Sequence, residues 1–213
     1  MDKTTFNEFR SLIYDVSGIT LSESKHALVC ARVGKRMRKL GISRHEEYLS
    51  MVTGDQSGAE LIHLLNAIST NVTNFFRERE HFEELRKVLR TWFDEGQRRF
   101  RFWSAACSTG AEPYTMAISI LEETGGEGDC KILATDINTK VLKTAKDGRY
   151  RKEKVEGIPL SLRDKYFEAR CGVDGGEYEA KRRLKNMIVF GHMNLAAPPF
   201  PMKGPLDAIF CRN

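Results

Sequence analysis

Long apolar runs are missing from this 213-residue sequence. No stretch approaches the roughly 20 residues that span a bilayer, so direct membrane insertion is not expected. The amino terminus, MDKTTFNEFR, mixes charges with single apolar residues and lacks the apolar core of a signal peptide. That absence argues against export and for the cytoplasm. Cysteine is sparse: five residues, at 30, 107, 130, 171 and 211, with no CxxC pair. An odd, scattered set excludes a zinc motif and a disulfide framework, and no metal site is expected. Internal repeats and low-complexity tracts are absent as well. The charge excess is small, 34 basic against 29 acidic residues for a net +5, too mild to imply a nucleic-acid partner. What remains, 41% hydrophobic and 30% charged residues, is the composition of a globular chain of one to two domains.

Residues 1–70 read as small helices. Thr5-x-x-Glu8 has the form of a capping box, followed by Phe6, Phe9, Leu12, Ile13 and Val16 at helical spacing and by Gly18 as a stop. Ser43-x-x-Glu46 repeats the capping signal ahead of Tyr48, Leu49 and Val52. Leu61, Leu64, Leu65 and Ile68 form a further stripe. Such a bundle serves either as a recognition module or as a structural cap. On a helical projection of residues 22–40, Ala27, Cys30, Val33, Gly34, Met37 and Leu40 share one side. Arg32, Lys35, Arg36 and Lys39 share the other, with no acidic residue among them. This is a plain solvated face or an exposed surface for an acidic partner.

Residues 71–97 read as a linker segment and an amphipathic helix over 79–93. Beyond residue 98 the pattern alternates: strand 99–105, helix 111–123, strand 131–135, helix 138–146, and apolar strands at 187–192 and 206–211. Strand–helix alternation predicts a parallel α/β sheet. Asp174-Gly175-Gly176 predicts a hairpin turn.

The chemistry is concentrated after the first strand. FRFWSAACSTGAEPYTMAISI runs from a strand through small residues (Ser104, Ala105, Ala106, Ser108, Thr109, Gly110) into a helix. Small side chains admit a ligand close to the backbone, at the carboxyl end of a strand where open α/β sheets bind ligands. The loop is neither GxGxxG nor a P-loop, which disfavours a phosphate cradle. Glu112 in the first helical turn repels phosphate and attracts an ammonium or sulfonium, or it simply complements the helix dipole. Asp136, at the tip of ILATD, is placed for ribose hydroxyls or to cap the next helix. Together these describe a pocket for a cationic nucleoside, and S-adenosylmethionine fits it.

STNVTNFFRE (69–78), FWSAACSTGAEPYTMAI (102–118), ILATDIN (132–138), GRY (148–150), VFGHMNL (189–195) and LDAIFCRN (206–213) closely resemble the chemotaxis receptor glutamate O-methyltransferases, the CheR family. The resemblance implies a helical domain over 1–70, a linker over 71–97, and over 98–213 a class I, Rossmann-like methyltransferase domain with a β-subdomain insert near 166–186. It implies cofactor contacts at Asn71, Thr73, Arg77, Glu112, Asp136, Asn194, Leu195, Arg212 and Asn213. Arg77 is the candidate to orient substrate or cofactor, or it forms an ion pair with Glu78 or Glu80. Arg32, Lys35, Arg36 and Lys39 are the candidate substrate contacts. S-adenosylmethionine is the implied methyl donor and S-adenosylhomocysteine the product. The implied partners are the cytoplasmic helices of chemoreceptors, with a receptor tail at the β-subdomain as a further one.

The family's fold continues past CRN, so the methyltransferase domain is expected to be incomplete at its carboxyl end. Strand 206–211 should then be an edge, with Trp103 and Ile209 exposed. Two other readings stand beside the enzyme: a non-catalytic receptor- or cofactor-binding module, and a nucleic-acid methyltransferase. The last is disfavoured by the absence of an aromatic-plus-basic platform and of an NPPY-type motif.

Overall fold

The computed structural model describes residues 1–170 and 176–212. The chain divides into two compact units. The first comprises Met1–Thr70, Ile137–Thr139 and Asn194–Pro201; the second comprises Asn71–Asp136, Lys140–Met193 and Met202–Asn213.

The first unit is helical: α1 (Lys3–Ser17), α2 (His26–Leu40), α3 (His45–Gly54) and α4 (Ala59–Ile68). Phe9, Ile13, Val29, Val33, Tyr48 and Leu64 form its core. Gly18 ends α1 in the left-handed conformation its missing side chain permits (φ 69°). The helix begins earlier than the capping box suggests. Asp2 is the N-cap, its carboxylate accepting from the Thr5 amide at 2.8 Å. The Thr5 hydroxyl is turned instead to Asp2 and to Glu46 of α3. Helix α3 likewise starts past Ser43, with Arg44 at the N-cap and no side-chain bond there. In α2 the buried positions are Val29, Val33 and Met37, whereas Ala27 is exposed. Asn66 of α4 binds both ways to Thr139: its amide donates to the Thr139 hydroxyl and its carbonyl accepts the Thr139 amide, each at 2.9 Å.

The second unit opens with α5 (Arg79–Asp94) and continues β1 (Arg99–Ala105), α6 (Ala111–Thr124), β2 (Asp129–Asp136) and α7 (Thr139–Asp147), whose first residue belongs to the first unit. The short β3 (Arg149–Arg151), α8 (Lys152–Val155), α9 (Leu160–Tyr166), β4 (Phe167–Arg170), β5 (Glu177–Ala180) and α10 (Arg182–Lys185) follow. It closes with β6 (Ile188–His192) and β7 (Ala208–Cys211). The main sheet is wholly parallel in the order β6-β2-β1-β7. A second, antiparallel sheet has the order β3-β5-β4. Besides β4 and β5 it includes Arg149–Arg151, which lies ahead of the insert expected near 166–186 and is too short to show a period. Of the predicted turn Asp174-Gly175-Gly176, the first two residues lie outside the described residues.

Alternation along the strands divides the main sheet into two faces. Phe100, Phe102, Ile132 and Ala134 face the helices, packed with Phe82, Leu85 and Leu89 of α5, most of α6, and Leu142 of α7. The other face carries a row in register: Val189, Leu133, Trp103 and Ile209. The two edge members are exposed, Val189 at 59% and Ile209 at 53%. Trp103 is not exposed as expected but 7% accessible. It lies on a central strand between Leu133 and Ile209, and its indole N–H donates to the Thr135 hydroxyl at 2.9 Å. No helix among the described residues is long and apolar enough to cross a membrane.

Candidate active site

The loop from β1 to α6 alternates its backbone hand. Ala106, Ser108 and Gly110 have φ of 62°, 52° and 91°. A non-glycine residue in this region costs about 1 kcal/mol or more, so other bonds must hold the loop. The Cys107 amide donates to the Thr135 carbonyl at 2.8 Å, and the Ser108 amide to Asp136 Oδ2 at 2.7 Å. Tyr150 of β3 donates its hydroxyl to the Thr109 carbonyl at 2.8 Å. A Cβ on Gly110 would lie 3.0 Å from both the Ala145 Cβ and the Tyr150 hydroxyl. Glycine is favoured there by its backbone conformation, and the tight space adds to that preference.

Asp136 and Glu112 flank this loop, and both are buried. Ser104 pairs with Ala134 across the strands, and Asp136 follows two residues on, so Ser104 and Asp136 point to the same face. Glu112 is bound to that face, because the Ser104 hydroxyl donates to Glu112 Oε1 at 2.7 Å. The two acids thus lie on one side of the sheet at the carboxyl ends of β1 and β2. The intervening Cys107 thiol feels both: burial pushes its pKa far up, and the charges of Asp136 and Glu112 add to the push. Asp136 stands three residues ahead of Thr139, where α7 begins, too early to be that helix's N-cap.

Arg212 closes the other side. Its Nε donates to Glu112 Oε2 at 2.6 Å. Its Nη1 reaches the Arg77 carbonyl at 3.1 Å, Glu78 Oε2 at 2.9 Å and His81 Nδ1 at 3.1 Å. The chain leading into α5 is strained here, with Phe76 and Glu78 left-handed. Arg77 itself binds the Val72 carbonyl at 3.1 Å and lies 3.7 Å from Glu78, the ion pair weighed from the sequence. The Asn71 carbonyl accepts from the Ser108 hydroxyl at 3.2 Å. Two sets of bonds result: Ser108 links Asn71 to Asp136, and Arg212 links Glu112 to the Arg77 carbonyl. The Thr73 carbonyl instead meets Lys154 at 3.5 Å. Asn194 and Leu195 belong to the first unit, where the Asn194 amide donates to the Val16 carbonyl at 2.7 Å. Asn213 lies outside the described residues. Ser104 and the ring of Tyr150 carry weight that the sequence reading did not give them. The signal was present in a serine on the core side of a strand otherwise lined by Phe100 and Phe102.

The donor set suits a cationic nucleoside. A carboxylate offers about four acceptor positions; Ser104 and Arg212 occupy two on Glu112, one on each oxygen.

The basic face of α2 differs from the expectation of four exposed cations. Arg36 forms a two-point pair with Glu60 of α4, at 2.8 and 2.6 Å, and Glu60 also accepts from the Tyr48 hydroxyl at 2.8 Å. Arg32 donates to the carbonyls of Ile68 and Ser69 at the end of α4, at 2.6 and 3.1 Å, where a cation complements the helix dipole. The basic face of the projected segment contains no acid, but a neighbouring helix supplies one. Lys35 and Lys39 remain exposed, joined by Arg38.

Comparison with known proteins agrees with this architecture. Residues 4–69 match the family model described as the CheR methyltransferase all-alpha domain. Residues 71–213 match the CheR methyltransferase SAM binding domain. The chain is 38% identical to chemotaxis protein methyltransferase 2 of Pseudomonas aeruginosa over 98% of its own length and 74% of that protein. It is 38% identical to the chemotaxis protein methyltransferase of Salmonella typhimurium, covering 71% of it, and 36% identical to that of Escherichia coli, covering 72%. The chain belongs to the CheR family of methyltransferases.

Proposed function

We propose that this enzyme transfers the methyl group of S-adenosylmethionine to glutamate side chains on the cytoplasmic helices of chemoreceptors, releasing S-adenosylhomocysteine. The observation that carries the reading is the pair of buried acids, Glu112 and Asp136, on one face of the sheet around a loop of small residues. The bound donor supplies an electrophilic methyl group on a sulfonium. In this reading Asp136, aligned by the Ser108 amide, holds the ribose hydroxyls. Glu112, held by Ser104 and Arg212, takes the amino group of the methionine portion. Asn71 and Thr73 add to the donor's contacts, and Arg77 orients donor or substrate.

The substrate needs little activation. A glutamate carboxyl has a pKa near 4.3 and is already an anionic nucleophile at neutral pH, so no general base is required. Catalysis then reduces to placing the carboxylate in line with the methyl group and excluding water. Because charge is neutralised in the reaction, a cation gripping the carboxylate would stabilise the ground state more than the transition state. The exposed Lys35, Arg38 and Lys39 suit a role away from the reacting atoms, in drawing an acidic helix toward the enzyme. Arg32 and Arg36 shape that face from within. A receptor tail docking on the antiparallel sheet is a further part of the proposal.

Transfer of labelled methyl from S-adenosylmethionine to receptor-containing membranes is the test. Asp136→Asn should abolish transfer and weaken S-adenosylmethionine binding together. Donor binding without any transfer would favour a non-catalytic module.

A further inference from the structure

We propose that Ser104 is a positioning residue for the methyl donor, acting by fixing the Glu112 carboxylate in one orientation. The proposal rests on the reading of Glu112 as the partner of the donor's amino group. Ser104 lies on the core side of β1, in line with Phe100 and Phe102, and is completely buried. The alternation of that strand calls for an apolar side chain at this position. A buried hydroxyl is unfavourable unless bonded, and this one donates to Glu112 Oε1 at 2.7 Å.

Glutamate is a flexible side chain. On the first turn of α6 it would otherwise sample several rotamers, and a ligand binding it would bear the cost of ordering it. Ser104 removes that freedom from one oxygen and Arg212 from the other. The two differ in kind. Arg212 is shared with Glu78 and the Arg77 carbonyl, so it serves the whole α5 entry. The serine bond serves Glu112. Each carboxylate oxygen retains an acceptor position, and the serine determines where that position lies. A donor held by a preoriented carboxylate binds more tightly with no change in the chemical step.

The experiment is isothermal titration of the full chain with S-adenosylmethionine for wild type, Ser104→Ala, Glu112→Ala and the double variant. Methyl-transfer kinetics on receptor-containing membranes run beside it. Ser104→Ala should weaken binding about tenfold, the size expected for a lost hydrogen bond to a charged group. KM for the donor should rise in step and kcat stay within about twofold. The double variant should bind no more weakly than Glu112→Ala, since the serine acts only through that carboxylate. Thermal unfolding of Ser104→Ala without ligand separates a folding defect from a binding one. The cycle remains decisive if stability also falls. Wild-type affinity in Ser104→Ala, with Glu112→Ala weakened, would overturn the proposal. So would a serine effect that persists in full without Glu112. Wild-type affinity in Glu112→Ala would instead overturn the reading of Glu112 itself, and the role of Ser104 with it.

Discussion

Replacing Arg36 by alanine should destabilise the helical unit, whereas replacing Lys39 should not. The side chain of Glu60 is 6% exposed and that of Arg36 23%. Removing the arginine leaves a buried carboxylate with only the Tyr48 hydroxyl as a side-chain hydrogen-bond partner. Breaking a fully buried pair costs about 3–5 kcal/mol. Partial exposure of the guanidinium lets water compensate somewhat, so the expected loss is about 2–3 kcal/mol. Lys39→Ala, at an exposed site, should stay within about 0.5 kcal/mol. Urea unfolding reads the difference. With a slope of about 1–2 kcal/mol per molar for a small unit, Arg36→Ala should lower the midpoint of a helical circular-dichroism component by more than 1 M. Both tryptophans, Trp92 and Trp103, belong to the second unit. Their fluorescence therefore follows that unit separately.

The same pair fixes a pH dependence. The hydrogen bond from Arg36, the largest influence on Glu60, holds its carboxyl below the ordinary glutamate value, against the opposing effect of burial. A folded-state pKa below the unfolded one means that folding favours the ionised form. The stabilisation is complete above about pH 4.3 and is lost as pH falls through the lower folded value. The lead of wild type over Arg36→Ala should be full at pH 7 and should narrow below about pH 4. A midpoint change under 0.3 M at pH 7, or a lead that does not change with acid, would refute the assignment of Arg36 as an internal brace.

Gly110→Ala should lose about 2 kcal/mol, from the strained φ and the crowding against Ala145 and Tyr150, and should weaken S-adenosylmethionine binding; thermal melts and titration measure both. Tyr150→Phe keeps the edge-on contact with Phe75 at 5.0 Å but leaves the Thr109 carbonyl without that donor. It should cost about 1 kcal/mol, read as a drop of a few degrees in Tm. Cys211 is exposed and Cys107 is buried with a raised pKa. Iodoacetamide at pH 8 should therefore modify Cys211 first and reach Cys107 only on unfolding; comparable rates by peptide mass mapping would contradict the packing of the loop.

Much of the second unit was legible because its signals are local. The run from Arg99 to Ala105, the small-residue loop and the helix from Ala111 are contiguous, and each strand is bounded by its own turn. The local pattern alone puts Asp136 at the tip of a strand and Glu112 in the first turn of a helix. What escaped reading depends on residues far apart in the chain. The Thr5 hydroxyl reaches Glu46 on a distant helix as well as the capping Asp2. Asn66 meets Thr139, an attachment that no window of helical length contains.

The basic stripe shows why such misses have a direction. A projection of one helix counts only the charges on that helix, so it overstates how many are free. The corrective signal lay in α4: Glu60 is in phase with Leu64 and Ile68, on the stripe that must be buried. An acid on a buried stripe requires a cation, and the nearest basic segment was the helix that had been read as a free surface. Searching apolar stripes for an out-of-place acid would have assigned Arg36 inward and left Lys35, Arg38 and Lys39 as the exposed set.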